Sequence, residues 1–367
     1  MSKYFTFNKK GIIKPYLSLP LISHINRTTI AVCLLTSSSI ANAATFDIFD
    51  TQQKTTDSPQ SVFSLDYDYQ SFLFGNNQLL QKEFKKNKQL YQQALQLIKQ
   101  KKYLQATKQV DQLLKENPAV SEFYNLKAML DVQKGDKASA EQSFKQAVKF
   151  NPDNSRAIYG LALLALRDNQ LVKAKELASK VISLNEKSIE AYLIVADVAG
   201  KQKNQLEVEQ ILTVAYQKAL GDVDNEVIIV TNLGKLYSLQ GQPKKFLSLA
   251  QQLNKRYSDN NKVLALLSGA QILNNQSGAA EQTLQILIKQ DKQNIKHRFQ
   301  LASLLLKQPA SEDRILKLLS EVSSIAPANQ SVMLQKAVFL KTLKYYDDAL
   351  EIANKIDKSK NEIVLII

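Results

Sequence analysis

Tryptophan is absent from the chain, cysteine occurs once (Cys33), and histidine twice (His24 and His297). Glycine and proline are scarce, at 10 and 8 in 367 residues. Each shortage excludes something. A single cysteine forbids an internal disulfide framework, and with two histidines it leaves no Cys/His zinc cluster and no Cys–His nucleophilic pair. Neither a Gly-rich phosphate loop nor a Gly-x-Ser-x-Gly turn is present. With so few breakers, the Gln, Lys, Leu and Ala that dominate after residue 78 favour helix over sheet. Acidic residues are also in short supply: 48 Lys+Arg stand against 34 Asp+Glu, a formal charge of +14. The expectation is an all-α chain that is not an enzyme and carries neither cofactor nor metal.

Residues 1–27 contain Lys3, Lys9, Lys10, Lys14 and Arg27 and no acidic residue. The apolar run Thr28 to Ile40 follows, and then Ala41-Asn42-Ala43-Ala44. This order is that of a secretory signal peptide, with cleavage expected between Ala43 and Ala44. An uncleaved anchor is the competing reading, weakened by Ser37, Ser38 and Ser39 inside the apolar run. Both readings export the remainder and keep the basic side in the cytoplasm. Cys33 has Val32 where a lipobox wants a small residue, and too short an apolar run precedes it, so a lipoprotein is rejected. Cleavage would lower the formal charge from +14 to +9.

The segment 44–80 has its own composition: Phe46, Phe49, Phe63, Tyr67, Tyr69, Phe72 and Phe74 are interleaved with five aspartates. Thr51 to Gln60 reads as a linker, and Ser61 to Phe74 as an extended stretch with alternating apolar residues. Two roles fit, a cap folded over the first helix or an extended arm that docks on a partner or on the array's own groove.

From Ser121 to Pro152 the apolar residues Tyr124, Ala128, Ala140, Phe144 and Ala147 fall three, four and seven apart on either side of Lys134-Gly135-Asp136. Two amphipathic helices meeting at a tight turn give this pattern. Alanine at a fixed place in each helix lets the backbones approach, and Asn151-Pro152 ends the second helix. Asn117-Pro118 stands 34 residues earlier. Equivalent spacings continue to Ala349, Ala353 and Ile356, giving about eight copies. The fourth copy has a looser second half, and Gly221 to Asn225 reads as a lengthened connection to the fifth. The seventh carries one extra residue near Gln308-Pro309.

This 34-residue period, with small residues at fixed offsets, resembles the tetratricopeptide repeat (TPR). The resemblance covers residues 81–360, and 361–367 look like the opening of a further, incomplete repeat. It implies a right-handed superhelical solenoid of about eight TPR helix hairpins. Either the chain is a piece of something longer or a partner covers its apolar end.

The resemblance also places one stripe of each first helix on a concave face. The stripe runs through Glu122, Asn125, Met129 and Val132, then Arg156, Tyr159, Leu163 and Leu166, then Glu190, Leu193 and Asp197. It continues with Ile228, Thr231, Lys235 and Ser238, and in the seventh copy with His297, Gln300 and Ser303. Part of its apolar content serves as core between repeats. The lysine and asparagine with which some family members hold a terminal carboxylate are replaced by Tyr91 and Leu95, then Asn125 and Met129. His297, lacking catalytic company, reads as a surface or groove residue.

The partners implied are proteins of the cell envelope bound along the stripe. The alternative is an acidic polysaccharide guided by the lysines at 82–88 and 99–102. Export removes the chain from nucleic acid, and membrane contact is expected only through an uncleaved signal. Exported arrays of this kind resemble the repeat portions of exopolysaccharide-export machines and of the large repeat protein of PEP-CTERM/exosortase clusters. The failed lipobox departs from the latter. The expectation is therefore an exported, periplasmic scaffold for protein–protein interactions.

Overall fold

A computed structural model describes residues 78–356, with side chains from Lys86 onward. The leader with Ala43 and Ala44, the arm up to residue 77 and the stretch 361–367 lie outside the described residues. Among the described residues sixteen α-helices and no strand follow one another. They are α1 (Gln78–Lys99), α2 (Tyr103–Glu116), α3 (Ser121–Lys134), α4 (Lys137–Phe150), α5 (Ser155–Arg167), α6 (Leu171–Leu184), α7 (Ile189–Lys201) and α8 (Gln205–Ala219). Then come α9 (Val223–Leu239), α10 (Pro243–Arg256), α11 (Asn261–Leu273), α12 (Ser277–Gln290), α13 (Ile295–Leu305), α14 (Glu312–Ile325), α15 (Gln330–Thr342) and α16 (Tyr346–Asn354). Among the described residues none is long and apolar enough to cross a membrane.

Two compact units hold these helices, one over residues 78–327 and one over 328–356. In the first, α1 to α14 form seven hairpins, and each helix packs on the next. In the second, α15 and α16 form one hairpin around Leu334, Ala353 and Ile356.

Small residues explain why each hairpin closes. Ala94 and Ala106, Ala128 and Ala140, and Ala162 and Ala174 are fully buried where their two helices meet. Each second helix then buries one stripe, such as Ala140, Phe144 and Ala147 on α4 or Ile315, Leu319 and Val322 on α14. Fully burying a side chain the size of Phe144 stabilises by about 2–3 kcal/mol. The Phe144 ring lies directly against Gly160 of α5, so a larger residue at 160 has no room.

Every hairpin turns through one residue of positive φ: Lys101, Gly135, Asn169, Lys203, Gly241, Asn275, Ala310 and Lys344. In seven turns the next N–H reaches back to a carbonyl five residues earlier, as in Asp136 to Asp131 at 2.9 Å and Gln170 to Ala165 at 2.8 Å. That bond caps the first helix and starts the return. Only the Ala310 turn, which holds the extra residue at 308–309, lacks it.

The connection after α8 differs from the sequence expectation. Gly221 (φ +93°) makes the turn, and Asp222 caps α9 by accepting from the Asn225 N–H. Val223 to Asn225 are therefore helical, and no long connection exists. The caps Asn154, Ser188 and Asp222 keep the 34-residue interval, whereas Asn260 comes 38 after Asp222. α9 has 17 residues where α5, α7 and α11 have 13. The four extra residues are close to one helical turn, so the face presented to the neighbours is kept.

Candidate binding face

The first helices of the first four repeats bring most of the stripe into one row. Tyr91 of α1 is buried and hydrogen-bonds Arg156 of α5; burial pushes its phenol up and the guanidinium opposes this. Its ring is 6.3 Å from that of Phe123. Glu122 of α3 is half-buried, and its carboxyl is pushed up by desolvation against the pull of its own backbone N–H and of Arg156. Tyr159 of α5 is half-buried, its phenol raised by desolvation and then by the charge of Glu190 on α7. Helices α1, α3, α5 and α7 are thus coupled through this row.

Polar order beneath the row comes from an N-cap. Asn154 caps α5 by accepting from the Ala157 N–H at 3.0 Å, and it also accepts from the Asn125 amide at 2.9 Å. Its own amide donates to Ser121 Oγ at 2.6 Å and to Glu122 Oε1 at 3.3 Å. Ser121 Oγ in turn donates to the Ala147 carbonyl at 2.7 Å. One asparagine therefore locks α3, α4 and α5 together. Two acceptors of this cluster, Glu122 Oε2 and Asn125 Oδ1, are buried without a hydrogen-bond partner. Both atoms lie beneath the surface, so they are a cost of packing the cluster and not handles in the groove.

The stripe residues fall into two groups. Glu122, Arg156, Tyr159, Leu163, Leu166 and Leu193 are half-buried, Lys235 is half-buried, and Asp197 is exposed. Asn125 and Met129 are buried among the helices, as is Thr231, whose hydroxyl donates to the Val227 carbonyl at 2.7 Å.

In the seventh repeat the expected stripe is shifted by one residue. His297 and Gln300 are buried and bonded to each other, Nδ1 to Oε1 at 3.0 Å, and His297 is not a groove residue. Counted from the helix start they match Phe123 and Leu126 of α3, which also face inward. In register the stripe holds Lys296, Phe299 and Ser303. Sequence reading also passed over the cap network, although Asn154 standing two residues after Asn-Pro carried the signal.

Two family models, each described as tetratricopeptide repeat, match residues 91–148 and 131–198. The stretch 91–198 is a run of tetratricopeptide repeats. Beyond it, α8 completes the fourth hairpin, α9 to α14 form three more in the same unit, and α15–α16 form another. No curated protein matches the sequence. Among solved structures the chain is similar to YrrB, titled a TPR protein with an unusual peptide-binding site (16% identity, 56% of this chain and 100% of that one, TM-score 0.39). It is also similar to Pseudomonas aeruginosa pilF (16%, 60% and 96%, TM-score 0.44). A tetratricopeptide repeat protein from Parabacteroides merdae is a third (14%, 64% and 91%, TM-score 0.48). At these identities and TM-scores the likenesses say nothing of what this chain binds.

Proposed function

We propose that this chain is a non-enzymatic scaffold that docks a protein segment along the first-helix face of its first four TPRs, in the bacterial envelope after export. What carries this reading is the half-buried apolar row Tyr159, Leu163, Leu166 and Leu193 on the first helices of the third and fourth repeats. An extended segment or a helix supplies the complement, apolar side chains for the row and polar groups for the half-buried Glu122 and Arg156 beside it. The basic leader and the Ala43–Ala44 site support export, and a place in exopolysaccharide export or protein sorting is the setting we propose.

Affinity capture of the tagged protein after crosslinking in intact cells tests the docking. A discrete envelope protein should be recovered with the native chain and lost with Leu163→Glu, while helical content is kept. Because the row is apolar, the capture should persist at high salt. Capture that is indifferent to Leu163→Glu places the site elsewhere. Export has its own readout: the amino terminus of the protein in the periplasmic fraction should be Ala44, and an intact leader in the cytoplasm would refute it.

A further inference from the structure

The edge of the stack formed by the hairpin turns carries a second surface, separate from the first-helix face. The four most exposed large apolar side chains of the described residues all lie on it: Leu239 (79%), Leu104 (76%), Val172 (69%) and Leu206 (68%). Leu104, Val172 and Leu206 are each the second residue of a second helix, and Leu239 ends a first helix just before its turn. They follow this edge as a line with one member each from the first, third, fourth and fifth repeats, the second having Ala138 at the place of Leu104. Neighbouring turns are joined by Lys137–Asp168, by Lys173–Glu141 at 3.7 Å and by Lys175–Glu207 at 2.6 Å.

Around this line stand exposed cations, among them Lys101, Lys102, Lys134, Lys201 and Lys203. The acidic residues on the same edge are engaged internally. Asp136 accepts from Ser139, Asp168 from Lys137 and Glu207 from Lys175. The opposite edge, where one repeat passes to the next, is different. There Lys86 pairs with Glu116 and Lys218 with Glu186, Lys180 is turned onto the Pro152 carbonyl, and Asp153 and Asp222 stand among Lys115, Lys149 and Lys187. Its apolar residues Leu184 and Leu220 are less exposed, at 39% and 49%.

We propose that the turn edge of the first five repeats lies on an anionic lipid surface, with Leu104, Val172, Leu206 and Leu239 entering the headgroup layer and the lysines meeting the headgroup charge. Either feature alone fits other partners. Spaced aliphatic side chains inside a cationic field fit an interface that is anionic at its surface and apolar a few ångströms deeper. An acidic polysaccharide satisfies the lysines and leaves four aliphatic side chains in water. The contact is peripheral, and it leaves the first-helix face open to a protein partner.

The test uses the full chain with Cys33→Ser and an environment-sensitive dye at Leu206→Cys or, as control, at Leu184→Cys. It is mixed with vesicles of phosphatidylcholine, alone or with phosphatidylglycerol. The dye at 206 should shift to the blue with phosphatidylglycerol vesicles and not with the neutral ones, and the dye at 184 should not respond. Lys101→Glu with Lys203→Glu should weaken the response about tenfold or more, since each cation near such a surface contributes strongly to binding. A chain that cosediments through its leader while the dye at 206 stays unshifted overturns the proposal. So do equal shifts at both positions, an equal response to neutral vesicles, or binding to alginate alone.

Discussion

The third and fifth repeats solve one packing problem with opposite materials. In α5–α6 the helices meet through Ala162 against Ala174, small on both sides. In α9–α10 the corresponding residues are Gly234 and Phe246: the first helix gives up its last carbon and the second fills the space with a ring. A Cβ at Gly234 would lie 2.6 Å from that ring. The fifth repeat also has an extra helical turn, and its fully buried Glu226 accepts from the Gly221 N–H at 3.0 Å, from Tyr257 Oη at 2.9 Å and from the Arg256 guanidinium. Arg256 in turn donates to Tyr216 Oη at 2.8 Å. The period of a repeat therefore constrains a summed volume and a face, not particular residues.

The largest effect expected from breaking this comparison is at the carboxylate. Glu226→Ala strands Arg256 and Tyr257 and opens a void, and should cost about 3–5 kcal/mol in chemical denaturation. Phe246→Ala should cost a similar 3–5 kcal/mol through its cavity. Gly234→Ala alone should cost about 1–3 kcal/mol by overpacking. The double variant Gly234→Ala/Phe246→Ala recreates the alanine pair of the third repeat and should lose less than the sum of the singles. Strict additivity in that cycle would mean the two residues do not share one space.

How far the sequence reaches can be judged on these same residues. The eight hairpins were legible because Ala, Asn-Pro and the turns recur at fixed spacing, and spacing decides which residues share a face. The extra turn of α9 was not, since Gly221 looks like a loop signal and periodicity cannot say whether four added residues coil or loop. Asp222, standing 34 residues after Ser188, was the overlooked cue. The shifted stripe of α13 has a similar cause. His297 and Gln300 look like surface residues by type, yet they occupy the inward places held elsewhere by Phe123 and Leu126. They pay for that burial by bonding to each other.

Smaller effects follow from those places. Desolvation lowers the His297 pKa, opposed by its bond to Gln300. The unfolded chain therefore takes up the proton first, near the ordinary histidine value of about 6.5. Stability contributed above that value declines as pH falls through it and on through the lower folded-state pKa. His297→Leu should flatten this acid limb in melts at about pH 7.5 and about pH 5.5, bracketing that value. At the turns, Lys203 and Ala310 hold the left-handed geometry that Gly135 and Gly241 adopt without strain. Lys203→Gly or Ala310→Gly should therefore stabilise by about 1 kcal/mol, and Gly135→Ala should destabilise by about as much.

The docking claim is tested most directly by a photo-crosslinking amino acid placed in living cells at Tyr159, on the first-helix row, and at the exposed Ser179 of α6 as its counterpart. The account predicts a discrete protein adduct at 159 and none at 179. Absence of an adduct at 159, or the same adducts from both positions, would contradict it.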